Sequence, residues 1–143
     1  DTYGKEGKVA WVYRHLPVDV LHSKARKEAA AAECAGEIGG NKAFWNYADR
    51  IFEITPSNNK LDLALLPDIA EYIGIERGAF EKCLKSGKYD KHIEDDFRDA
   101  VASGASGTPY SVVVAPNGKT FPLSGSQTYS TVLSIINLAL KER

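Results

Sequence analysis

Gly107-Thr108-Pro109 runs directly into Tyr110-Ser111-Val112-Val113-Val114, and this junction constrains the chain more than any other stretch. Val112 to Val114 are β-branched, stiff at χ1 and suited to a pleated surface, so the run predicts a core strand over 110–115. Pro109 stands at the start of that strand, where a missing backbone N–H is tolerated. An X-Pro bond is also the one peptide bond for which cis is cheap, at about 0.5–1 kcal/mol over trans. A cis Thr108–Pro109 bond would turn the chain sharply and leave the backbone of Ser106 to Thr108 unpaired at a surface. An extended peptide can pair with such a stretch. An ordinary trans proline leading into a strand fits the local residues as well, and both readings stand at this point.

The rest of the pattern places that junction. Lys8–Leu16 is a nearly continuous β-branched and aromatic run, predicting a first strand covered on both faces and closed by Pro17. A helix is expected over 22–38, with Ala30, Ala31, Cys34 and Ile38 on an apolar face and Gly36 and Gly39-Gly40 ending it. Asn41 caps a second helix over 42–54, whose Phe44, Tyr47, Ala48, Ile51 and Phe52 recur at helical spacing beside Trp45. Thr55–Asn59 reads as a loop. Pro67 in a first turn predicts a helix from Leu66 to Ile73. Glu76–Ser86 predicts another, placing Phe80, Cys83 and Leu84 inward, and Gly87 breaks it. Tyr89, Ile93, Phe97 and Val101 recur every four residues over 88–103, with Glu94, Asp95 and Asp99 on a solvated face. Asn117-Gly118 between two strand-like runs predicts a hairpin with a second strand over 120–124. Thr128 caps a last helix whose buried stripe is Val132, Ile135, Ile136, Ala139 and Leu140.

A chain of 143 residues is long enough to bury one core. Eighteen Lys and Arg against nineteen Asp and Glu leave a net charge of −1, with no basic block, which argues against nucleic acid or an anionic membrane as partner. No apolar run approaches a membrane span. The chain opens on Asp1, which reads as a processed or excised piece, so the lack of a signal peptide is uninformative about targeting. His15, His22 and His92 have no spacing suited to a shared metal and read as surface or capping residues. No cofactor is expected. Lys85-Ser86-Gly87-Lys88 lacks the long glycine loop of a phosphate cradle and reads as a helix–helix turn. Trp11 and Trp45 read as core. Cys34 and Cys83 form either one structural disulfide or two buried thiols; a bridge would add roughly 3–4 kcal/mol by the chain-entropy estimate.

Ala31-Ala32-Glu33-Cys34-Ala35-Gly36, Phe44-Trp45-Asn46-Tyr47, Cys83-Leu84-Lys85-Ser86-Gly87-Lys88-Tyr89 and Gly107-Thr108-Pro109, in that order, resemble the DsbA-like family of thioredoxin-fold thiol–disulfide oxidoreductases. The resemblance covers residues 7–140. It implies an α/β thioredoxin-like fold with an inserted all-helical domain, residues 22–105, between the two parts of the core, 1–21 and 106–143. It also implies a cis-proline at Pro109, with Gly107, Thr108 and Pro109 holding substrate, and cysteine-containing proteins or peptides as that substrate. A redox partner protein and an extracytoplasmic location follow from the same resemblance.

The departure from the family is equally specific. The family carries a Cys-x-x-Cys on a helix after a first core strand, and both would precede residue 1 here. Neither Cys34 nor Cys83 sits where a redox thiol belongs, at an exposed helix N-terminus. The chain is therefore expected to lack a catalytic residue of its own, to represent a fold incomplete at its N-terminus, and to be inactive alone. Without the first strand, Val9–Arg14 and Tyr110–Ala115 would each present an unpaired row of backbone groups. That gap is expected to be filled by a second copy in a strand-swapped homodimer, by a cleaved N-terminal peptide or by rearranged pairing. Two other functions stay open: a redox-inactive thioredoxin-like peptide-binding module, and a glutathione-transferase- or isomerase-like member of the wider family with serine at the reactive position.

Overall fold

A computed structural model describes residues 3–56 and 59–142, so Ser57 and Asn58 of the expected loop lie outside the described residues. The chain divides into two compact units, Asp1–Phe97 and Arg98–Arg143.

The first unit is helical. α1 (Ala25–Ile54) covers both helices expected before the loop, with a single break at Gly40 (φ 75°, ψ −175°). The helix therefore passes through Gly36 and Gly39 and bends one residue later. That backbone conformation is open almost only to glycine. After a 3₁₀ turn at Leu63–Leu65 come α2 (Leu66–Tyr72), α3 (Arg77–Ser86) and α4 (Asp90–Ala102), whose last turn belongs to the second unit. Pro67 lies in the first turn of α2, where its missing donor costs nothing. The Glu76 carboxylate caps α3 by accepting from the Gly78 and Ala79 N–H groups, and Gly87 ends α3 in the left-handed region.

α1, α2 and α3 pack on one another around Tyr47, Leu66, Phe80 and Cys34. Tyr47 is fully buried and donates its hydroxyl to the Leu66 carbonyl at 2.8 Å, so its polar end is satisfied inside the core. Burial raises the phenol far above its ordinary pKa.

The expected strand at Lys8–Leu16 does not form. Residues 9–16 carry no ladder, and Trp11 and Val12 are 72% and 74% exposed rather than core. A strand exists only by pairing, and among the described residues no partner lies alongside this run. Three more apolar positions of the helical pattern, Ile38, Phe52 and Val101, also face outward. His15 departs in the other direction: it is buried, not a surface histidine.

In the second unit β1 (Tyr110–Val114) and β2 (Thr120–Ser124) form an antiparallel pair in the register Val112↔Pro122. The turn closes through the Ala115 N–H donating to the Lys119 carbonyl and the Gly118 N–H to Ala115, with Gly118 at φ 85°. α5 (Tyr129–Ala139) packs on β1 and starts at Thr128, whose hydroxyl accepts from the Thr131 N–H.

Candidate functional site

Gly107, Thr108 and Pro109 lie together at the mouth of β1, as local chemistry requires. Gly104 (φ 92°) lets the chain leave α4, the Ala105 N–H donates back to Ala100, and the Tyr110 hydroxyl donates to the Ser103 carbonyl. On the far side the Gly125 N–H donates to the Pro109 carbonyl at 2.9 Å, which carries the hairpin pairing one step past the strand. The Thr108–Pro109 peptide is cis. Between these anchors the backbone groups of Ser106, Gly107 and Thr108 have no partner among the described residues. Thr108 and Pro109 are exposed, and nothing stands within 4 Å of where a Gly107 side chain would begin. β1 pairs only with β2 among the described residues, so its other edge is free there. An extended peptide could add to this edge by main-chain hydrogen bonds.

Cys34 on α1 and Cys83 on α3 are joined in a disulfide, with Cα atoms 5.8 Å apart. Neither is a thiol with access to substrate: Cys34 is 1% exposed and Cys83 9%. Glu37, one turn beyond Cys34, places Oε2 3.7 Å from Cys83 Sγ. The same oxygen accepts the Tyr89 hydroxyl at 2.8 Å and pairs with Lys88. That ion pair, with the tyrosine bond, holds the Glu37 carboxyl below its ordinary range. Partial burial and the bond to Glu37 push the Tyr89 phenol up to about 12.

A third group was not legible in the sequence. Asp96 is 2% exposed on α4, accepts the His15 backbone N–H at 2.9 Å and pairs with Arg14 Nε. The His15 ring meets Glu33 Oε1 at 2.8 Å, and His92 Nε2 stands 3.6 Å from that oxygen and 3.8 Å from Asp96. Two of the three histidines thus converge through α1 and α4, although their sequence positions show no such spacing. Glu94, Asp95 and Asp99 read as a solvated face; Asp96, three residues after Ile93, falls on the apolar side by helical spacing, and its partners appear only in the fold. Among the described residues no cluster of three or more His, Cys, Asp or Glu is placed to hold a metal ion. The cluster instead ties residues 14–15 to two helices, beside a groove of about 310 Å³ lined by Trp11, Tyr13, Phe44 and Trp45.

The family profile described as Thioredoxin matches residues 1–137. In three dimensions the chain is similar to the crystal structure of Pseudomonas aeruginosa DsbA2, with 32% identity and a TM-score of 0.75 over 92% of this chain and 71% of that one. The chain belongs to the DsbA-like family of thioredoxin-fold proteins, the family of the thiol–disulfide oxidoreductases. Among curated proteins it is 33% identical over 101 residues to the Na(+)/H(+) antiporter NhaA 1 of Salinispora arenicola, and 34% identical over 101 residues to NhaA 3 of Salinispora tropica. Each match covers 71% of this chain and 15% of the antiporter's length. Among the described residues no helix is long and apolar enough to cross a membrane.

Proposed function

We propose that this chain supplies the substrate-docking part of a DsbA-like thiol–disulfide oxidoreductase acting on cysteine-containing proteins or peptides. The observation that carries this reading is the unpaired, exposed backbone of Ser106 to Thr108 at the free edge of β1. A substrate strand lying there would be held by its main chain, independently of side-chain sequence, which suits an enzyme with many substrates. The sulfur chemistry belongs to cysteines other than Cys34 and Cys83, because those two are bonded to each other and buried. A substrate thiolate and the enzyme would pass through a mixed disulfide, and a redox partner protein would reset the enzyme. The internal disulfide supports an oxidising, extracytoplasmic setting.

A second reading is a peptide-binding module without redox chemistry, which the same exposed backbone of Ser106 to Thr108 would serve. The extended run 9–16 adds a structural arm to either reading. Its unladdered backbone would pair with a further strand, and a strand-swapped second copy is the supplier whose presence sedimentation velocity detects.

One pair of measurements on the intact protein separates the readings. A cysteine-containing peptide is titrated while the Gly107 and Thr108 amide resonances are followed, and insulin reduction by dithiothreitol is assayed alongside. The oxidoreductase reading expects amide shifts together with turnover. Shifts without turnover establish the binding module. Unmoved Gly107 and Thr108 amides at saturating peptide overturn both.

A further inference from the structure

We propose that Glu37 determines which thiols can open the Cys34–Cys83 disulfide, by setting a negative charge against the sulfur that an incoming thiolate would attack. Cys83 is the more accessible of the two cysteines, 9% exposed against 1% for Cys34. Its Sγ has Glu37 Oε2 at 3.7 Å. A disulfide sulfur has no proton to donate, so this is a bare oxygen–sulfur contact and not a hydrogen bond. Lys88 pairs with the same oxygen, and no hydrogen bond joins Lys88 to the sulfur among the described residues. The carboxylate is thus the polar group next to the bond, and the ammonium partly offsets its charge.

Opening the bond is a nucleophilic substitution. A reagent thiolate bonds to Cys83 Sγ, the Sγ–Sγ bond breaks, and the electron pair leaves on Cys34 Sγ, which takes a proton from water. A second reagent thiolate then displaces Cys83 and departs as the reagent's own disulfide, so two reagent thiols supply the two electrons. Every approach to Cys83 brings negative charge toward Glu37. If attack falls on Cys34 instead, the leaving Cys83 thiolate develops its charge against the same oxygen. Both routes are slowed by the carboxylate, and both are slowed more when the reagent carries an additional negative charge. This selection is separate from the docking proposed at Thr108 and stands or falls independently of it.

The test compares three small thiols whose thiolates are net neutral, singly negative and doubly negative: 2-aminoethanethiol, 2-mercaptoethanol and mercaptoacetate. Opening is followed in the intact protein by alkylation and mass analysis of the peptides bearing Cys34 and Cys83. Each rate is expressed as variant over wild type, which cancels the reagent's intrinsic reactivity. In Glu37→Gln the mercaptoacetate rate should rise about fivefold more than the 2-mercaptoethanol rate, and that rate about fivefold more than the 2-aminoethanethiol rate, the factor given by each unit charge at ~4 Å in water-like surroundings. Lys88→Gln, which leaves the carboxylate without its counter-ion, should shift the same ratios in the opposite direction. Opposite shifts from two neighbours of one oxygen cannot come from loosening of the fold, which would speed all three reagents alike. Equal rate changes for the three thiols in both variants, or the same direction of change in both, overturn the proposal.

Discussion

At the scale of single residues, the most consequential position is one whose partners the sequence pattern conceals. Asp96 sits in an acidic run, Glu94-Asp95-Asp96, yet its place three residues after Ile93 puts it on the face of Tyr89 and Ile93 and not with Glu94, Asp95 and Asp99. Its burial follows from a long-range encounter with Arg14 and the His15 backbone, more than eighty positions away in the chain. The carboxylate satisfies the backbone donor of the buried His15. Asp96→Ala should therefore cost about 2–3 kcal/mol, the range for losing hydrogen bonds to a charged group and stranding a buried donor. Urea unfolding at constant m-value measures this. A loss below about 0.5 kcal/mol, typical of surface changes, would mean that Asp96 does not anchor residues 14–15. The burial of His15 is hidden from the sequence for the same reason: a histidine is placed by what surrounds it, and Glu33 and His92 reach it only in the folded chain.

Elements were legible wherever short-range chemistry decides them. β1, β2 and α5 fall where Pro109, Asn117-Gly118 and Thr128 put them, because a turn and a cap are local events. The run 9–16 has the composition of a strand, but composition cannot provide the neighbour that makes one. α1 shows the intermediate case: the glycines foretold a break, and only the backbone identifies Gly40 as the residue that carries it. Gly40→Ala should cost about 1–3 kcal/mol, since the new Cβ occupies a φ/ψ region reserved for glycine. A thermal melt as stable as wild type would show that α1 can straighten. The α3 cap makes a pH prediction. The Glu76 carboxyl is held below its ordinary range by the Ala79 and then the Gly78 N–H. A group whose folded pKa is depressed contributes stability above its unfolded value, near 4.3, and loses that contribution as pH falls through the folded value. Wild type should therefore melt above Glu76→Gln at neutral pH, and the gap should close in acid below about pH 4. A gap that persists undiminished at pH 3 would show that the charge of Glu76 is irrelevant to the cap.

At the scale of the whole molecule, the distribution of buried surface is uneven. The helical unit holds Tyr47, Leu61, Leu66, Ile69, Phe80 and Ile93 at 3% exposure or less, and a disulfide ties α1 to α3 inside it. Among the described residues, the unit Arg98–Arg143 contributes only Ala115 and Ala139 to the buried hydrophobic residues, while Val114, Tyr129 and Leu138 stand 46% or more exposed. A two-stranded hairpin is marginal in water, and one helix laid on it adds too little apolar burial to offset the ordering of so short a chain. The free edge of β1 is therefore carried by the part of the chain with the least core of its own. A peptide of residues 103–143 should show no cooperative thermal transition by circular dichroism, and its Gly107 and Thr108 amides should exchange at unfolded-chain rates. Residues 1–102 should retain a cooperative helical melt that weakens when the disulfide is reduced. If the 103–143 peptide melted cooperatively, the hairpin and α5 would be self-sufficient. The edge at Thr108 would then be a rigid platform in its own right, needing no apolar surface from outside these residues.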